Sequence, residues 1–232
     1  MKASQNRVRL AAVAIAALHA VSGSAATVIN TFNFTAGQAV PDNNASGLLQ
    51  IGSVSLASIP AVQEIRVGLD ISGNFNGDLY AYLQKDGAQS ILLNRVGRGS
   101  FNSFGYSDAG FNVTFSDSAA ADIHGYRTSS NPLTSPLTGT WQPDGRTVAP
   151  DDAPVIFDFA SRPAMLSSFE GFDPSGNWNL FIGDFSAGGT STLNSWSLQF
   201  VNTVTPVPEP GTIALLGLGG VALVVGARRR KA

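Results

Sequence analysis

The sequence predicts an all-β body, a two-layered β-sandwich, between an N-terminal export signal and a single C-terminal transmembrane helix. Apolar and polar residues alternate with a period of two through the middle of the chain, without a helical period of useful length. Gly and Asn turn signals separate the alternating runs. Each end of the chain carries an apolar stretch beside a set of basic residues.

Composition agrees. The 232 residues are 44% hydrophobic, with 14 Phe, enough for one packed core. Only 13% are charged, and 25 Gly help to fill the difference, as suits an exported β protein. The chain has no Cys, which excludes disulfides, thiolate metal sites and thiol nucleophiles. Two His exclude most His-rich metal sites. The net charge of −2 hides a partition, because residues 27–205 hold 7 basic and 15 acidic residues, a net of −8. That body repels phosphate backbones, so nucleic acid is not an expected partner. Its carboxylates are also raw material for calcium sites.

Residues 1–26 read as a secretory signal peptide. Lys2, Arg7 and Arg9 precede the uncharged apolar run 10–18, and the small residues 22–26 place cleavage after Ala26. Nine apolar residues are too few to cross about 30 Å of hydrocarbon.

The body spans 27–205. Strand candidates are 28–34, 49–56, 62–71, 79–83, 91–95 and 111–115, then the runs around Trp178 and Trp196. Ile65, Val67, Leu69 and Ile71 alternate with Glu64, Arg66, Gly68 and Asp70, as expected of a strand with one buried face. Trp196, Leu198 and Phe200 form a second apolar phase, and Trp178, Leu180 and Ile182 a third that Phe181 interrupts. Residues 128–154 contain five prolines and read as a long surface excursion, with 133–141 pinned to the body.

Residues 206–232 form the tail. Val207-Pro208-Glu209-Pro210 cannot join a helix or a sheet ladder, so it stays extended. The uncharged stretch 211–227 makes a helix of about 25 Å, at the short limit for a membrane span. Arg228, Arg229, Arg230 and Lys231 follow and act as a cytoplasmic stop-transfer cluster. The Pro-Glu-Pro triplet, short Gly-rich span and Arg-rich end resemble the PEP-CTERM sorting signal of Gram-negative bacteria. The resemblance implies export by the secretion machinery, an inner-membrane-anchored intermediate, and removal of the tail by an exosortase. The protein then reaches the cell surface or the extracellular space.

The body carries a second resemblance, over 62–201. Asn76-Gly77-Asp78-Leu79 with Tyr82-Leu83 and Asp86-Gly87 is similar to the strand-turn of P/Homo B domains. So are Phe115-Ser116-Asp117-Ser118-Ala119, Leu137-Thr138-Gly139-Thr140-Trp141-Gln142-Pro143, and the block from Phe169 to Leu198. Two departures stand out: the usual His before the first motif is absent, and Lys85 replaces the Pro of its turn. The resemblance implies a jelly-roll-like β-sandwich, a domain that accompanies subtilisin-like proteases and also occurs alone.

A serine-protease triad needs a His base. His19 lies in the signal peptide, which leaves His124, and its local sequence reads as a surface or capping His. No catalytic residue is therefore assigned. The stretch 72–78 has oxygen ligands at alternate positions but fails as an EF-hand, because Leu83 stands where the bidentate Glu belongs. P domains carry structural calcium, so the resemblance makes Asp78, Asp117 and Asp184 candidate ligands. Two functions remain open. One is a non-catalytic surface or matrix module that binds exopolysaccharide or an envelope protein. The other is a secreted hydrolase with a carboxylate site for polysaccharide, with Tyr80, Tyr82, Phe101, Phe104, Tyr106 and Trp141 stacking on sugars. Core or turn packing is the favoured reading of those six aromatics.

Overall fold

The period of two becomes two packed sheets. The computed structural model describes residues 25–55, 61–129 and 135–204. Residues 1–24 of the signal-peptide reading (1–26) and the whole of the tail (206–232) lie outside the described residues, as do Thr205, Leu56 and Leu133, while Ala26 opens the first strand. Thr27–Val204 is one compact unit and holds its own core.

The first sheet has the order β1-β9-β3-β6-β7. Its centre is β3 (Glu64–Gly73), whose Ile65, Val67, Leu69 and Ile71 are all buried. On one side β3 pairs antiparallel with β9 (Ser191–Val204), placing Leu69 against Trp196 and Val67 against Leu198. The register shifts where Asp70 meets Ser195 and Ile71 meets Leu193. One extra residue there reverses the side-chain phase, which is how Leu193 and Trp196 both come to be buried. On the other side β3 pairs with β6 (Phe111–Phe115), and β1 (Ala26–Val40) forms the far edge beyond β9.

The segment read as a pinned excursion is a strand, β7 (Leu137–Trp141), running parallel to β6. A parallel neighbour needs a long crossover, and residues 116–136 supply it. Pro136, Gly139 and Pro143 mask the strand in the sequence, yet such residues are tolerated on an edge.

The second sheet is antiparallel, with the order β2-β8-β4-β5. The strands are β2 (Asn44–Val54), β8 (Gly176–Asp184), β4 (Leu79–Lys85) and β5 (Ala88–Asn94). Trp178, Leu180 and Ile182 are fully buried, and Trp178 meets Phe200 across the two layers at 5.6 Å. Phe181 breaks the alternation because it serves the outer face, where it stacks on Tyr82 at 4.9 Å. The hairpin between β4 and β5 turns on Asp86 and Gly87, both at positive φ, as a two-residue type I′ turn requires.

The stretch between β7 and β8 adds a short helix, Pro154–Phe159, and closes the outer edge of β5. Ile91 N–H donates to Ala164 O at 2.9 Å, while Leu92 O and Ile91 O accept from Asp144 and Gly145.

Candidate functional site

The acidic candidates separate into two places. A 3₁₀ turn, Asn76–Asp78, delivers Asp78 to the start of β4, and the ladder sets Leu79 opposite Asp184 at the end of β8. Gly77 is required there, since a Cβ would lie 2.5 Å from the Tyr106 backbone nitrogen. Asn76 locks the turn by exchanging two hydrogen bonds with the Gly110 backbone, at 3.1 and 2.8 Å. Beside Asp78 lies the buried Arg95, whose Nη2 is 3.5 Å from Asp78 Oδ1 and whose Nε donates to Gly77 O at 3.0 Å.

Asp184 is 1% exposed. Its Oδ1 accepts from Ser186 N–H at 3.0 Å, and its Oδ2 is buried without a hydrogen-bond partner among the described residues. Burial, then the charge of Asp184, pushes the Asp78 carboxyl up from 3.8 to about 6. Burial also raises Asp184, against hydrogen bonds from the Ser186 and Asn43 backbones, and lowers Arg95.

Asp117 is not part of this group. It follows β6 at the Phe115 end, whereas the Asn76–Gly110 bridge ties Asp78 to the Phe111 end. Its two carboxylate oxygens accept from Leu166 and Ser167 N–H at 3.0 and 2.7 Å, capping the turn Leu166–Phe169. Among the described residues no three His, Asp or Glu side chains are placed to hold a metal ion.

The reading of His124 as a surface or capping residue is corrected. It is 9% exposed and stacks over Phe157 with 6.0 Å between ring centroids. Its own N–H is capped by Asp122 at 2.9 Å. Nδ1 lies 2.7 Å from Asp144 Oδ2, and Nε2 lies 3.0 Å from Arg98 O. Arg146 bridges Asp144 and Asp122 at 3.1 and 2.9 Å, and Arg162 ties the Asp144 and Pro143 carbonyls together. Sequence reasoning missed this network because its members are up to 64 residues apart, and only the fold gathers them. Nδ1 is engaged by the Asp144 carboxylate and Nε2 by the Arg98 carbonyl, so neither nitrogen stands open to a nucleophile's hydroxyl.

The six candidate aromatics divide. Trp141 is buried and donates to Thr138 O at 3.0 Å, and Tyr106 packs edge-on against Tyr126. Tyr80 and Tyr82 are half-buried on the outer face of the second sheet, beside Phe181 and Phe185. Phe101 and Phe104 are exposed, so packing does not account for them. Phe101 edges a hollow of about 370 Å³ whose walls include Arg98, Tyr106, His124 and Asp158. A groove of about 410 Å³ crosses the first sheet past Asp70, Asn112, Trp196 and Ser197.

The sorting residues Val207, Pro208, Glu209 and Pro210, the span 211–227, and Arg228, Arg229, Arg230 and Lys231 lie outside the described residues. No helix among the described residues is long and apolar enough to cross a membrane.

A β-sandwich followed by such a tail defines an exported, sorted protein. The PEP-CTERM protein-sorting motif matches residues 206–231. The chain thus carries an exosortase sorting signal, which implies export, processing at the membrane, and the cell surface as destination. No curated protein matches the sequence. The structure is similar to the serine protease of Aeromonas sobria in complex with its chaperone, at 16% identity and a TM-score of 0.41, covering 81% of this chain and 28% of that one. It is also similar to the same protease alone, at 15% identity and a TM-score of 0.39, covering 79% of this chain and 28% of the other. The chain therefore spans about 28% of the length of these proteins.

Proposed function

We infer that the body is a non-catalytic binding or structural module, delivered to the cell surface or matrix by its sorting signal. The observation that carries this reading is His124. The single histidine of the body is buried, with both ring nitrogens against acceptors, and so makes no base for an acyl-transfer site. Exosortase and the secretion machinery are its processing partners, and exopolysaccharide or an envelope protein is its working partner. Glycan-array binding without turnover is the expected result. Release of product from a polysaccharide panel would overturn the reading.

One observation favours the hydrolase alternative. A carboxyl held near 6 beside a second carboxyl is what a general acid requires, and Asp78 has that setting. Against it, Asp78 is 5% exposed and pairs with Arg95, and neither the hollow nor the groove described above includes it. Calcium is retained as a structural proposal at Asp78 and Asp184 alone, supported by the partnerless Asp184 Oδ2. Its role would be to replace repulsion between two buried carboxylates with shared coordination.

A further inference from the structure

Sheet edges expose unpaired N–H and C=O groups, and proteins ordinarily guard them with charge, proline or a covering segment. Among the described residues this sandwich guards one side and leaves the other without a covering strand. The outer edge of β5 is closed by backbone hydrogen bonds from Asp144, Gly145 and to Ala164. Beyond β7, the backbones of Ala121 and Ile123 bond to that of Gln142. On the opposite side, β1 and β2 end the two sheets, and among the described residues each has a strand on one flank only.

Those two edges lack charge. From residue 27 to residue 63 the single ionisable side chain is Asp42, in the connection between β1 and β2. The register of β2 shifts between Asn44 and Leu48, and from Leu48 to Val54 the strand is regular. Along it Leu49 and Ile51 face outward, 55% and 60% exposed. An uncharged edge carries no code that selects a foreign partner. The triplet Leu49-Gln50-Ile51 is also symmetric in character about Gln50.

We propose that β2 is a self-association edge, at which a second copy of this chain adds its own β2 antiparallel about Gln50. The pair sets Leu49 of each copy against Ile51 of the other and continues the four-stranded sheet into an eight-stranded one. It is an isologous contact and closes as a dimer. Copies delivered to one surface by the same sorting signal meet at raised local concentration. The opposing force is the net charge of −8 on each body, so salt should favour the dimer. The proposal does not depend on what the body binds.

The test uses the processed protein recovered from the medium, in sedimentation velocity between about 50 and 500 mM salt. Wild type should shift from monomer toward dimer as salt rises. Ile51→Lys places two like charges in the symmetric pair and should weaken the dimer by at least about tenfold, with unchanged circular dichroism and melting. Asn112→Lys, the same charge change on the exposed surface of β6, should still dimerise. The chain has no Cys, so Gln50→Cys reports the register directly. Paired strands bring the two Cα atoms to about 4.5–5.5 Å, within disulfide reach, and mild oxidation should cross-link the variant. Monomer at every salt concentration, an Ile51→Lys dimer as tight as wild type, or an oxidised Gln50→Cys that stays monomeric would each overturn the proposal. Dimers of the uncleaved chain alone would assign the contact to the tail and also overturn it.

Discussion

Asp184→Asn should stabilise the body at pH 7 in the presence of a chelator, and should do so less at pH 4. Asp78 is held at about 6 in the folded protein, against 3.8 as its ordinary value, by burial and then by Asp184. Below the lower value both folded and unfolded chains carry the proton, and the folded state pays nothing. As pH rises between the two values the unfolded chain releases its proton first, so stability falls. Above about 6 the loss is complete, with a ceiling of about 3 kcal/mol from the shift of Asp78. The amide keeps an oxygen for Ser186 N–H and removes the negative charge that burial penalises at Asp184. It also removes the negative charge that helps hold the Asp78 proton, so part of the ceiling is recovered. Urea melts of wild type and variant at pH 4, 5, 6 and 7 measure the difference, and unrelated carboxylates cancel. A variant less stable than wild type at pH 7, or a gap that does not change with pH, would refute the reasoning. Repeating the melts in calcium tests the ion separately. At a hundredfold excess over its Kd, bound calcium would raise wild type by about 2.7 kcal/mol and leave the variant unmoved. No gain in wild type removes the calcium proposal and leaves the pH argument standing.

Trp196→Ala should cost about 3–5 kcal/mol in chemical denaturation, because the ring is 2% exposed and lies 4.3 Å from Phe34; a loss under about 1 kcal/mol would mean the strand phase is wrong. Gly77→Ala should cost at least about 2 kcal/mol, since the clash falls on backbone that cannot swing aside; an unchanged melting midpoint would contradict it. N-terminal sequencing of the exported protein should begin at Thr27, and a retained Met1 would sink the signal-peptide reading. Glu209→Ala should leave export intact and trap a membrane-bound form on fractionated blots. Release as fast as wild type, in a host with an exosortase, would reduce the tail to a plain anchor.

Period-two alternation determined the central strands, because β3, β8 and β9 bury one face along most of their length. Ile65 to Ile71 and Trp196 to Phe200 lie as their sequence phase requires. The sorting motif was equally legible, since an address read by a membrane enzyme must be local in sequence. β7 was not, because its edge position tolerates the Gly and Pro that hide a strand. Tertiary structure alone decided the buried network. His124 comes to rest between Asp144 and the Arg98 carbonyl because the excursion after β7 folds back along β5. It likewise brought Asp78 beside Asp184, 106 residues on, and kept Asp117 at the other end of β6. Carboxylates are interchangeable in a one-dimensional pattern. Only antiparallel register decides which two share a low-dielectric site, and so which one is held near neutral pH.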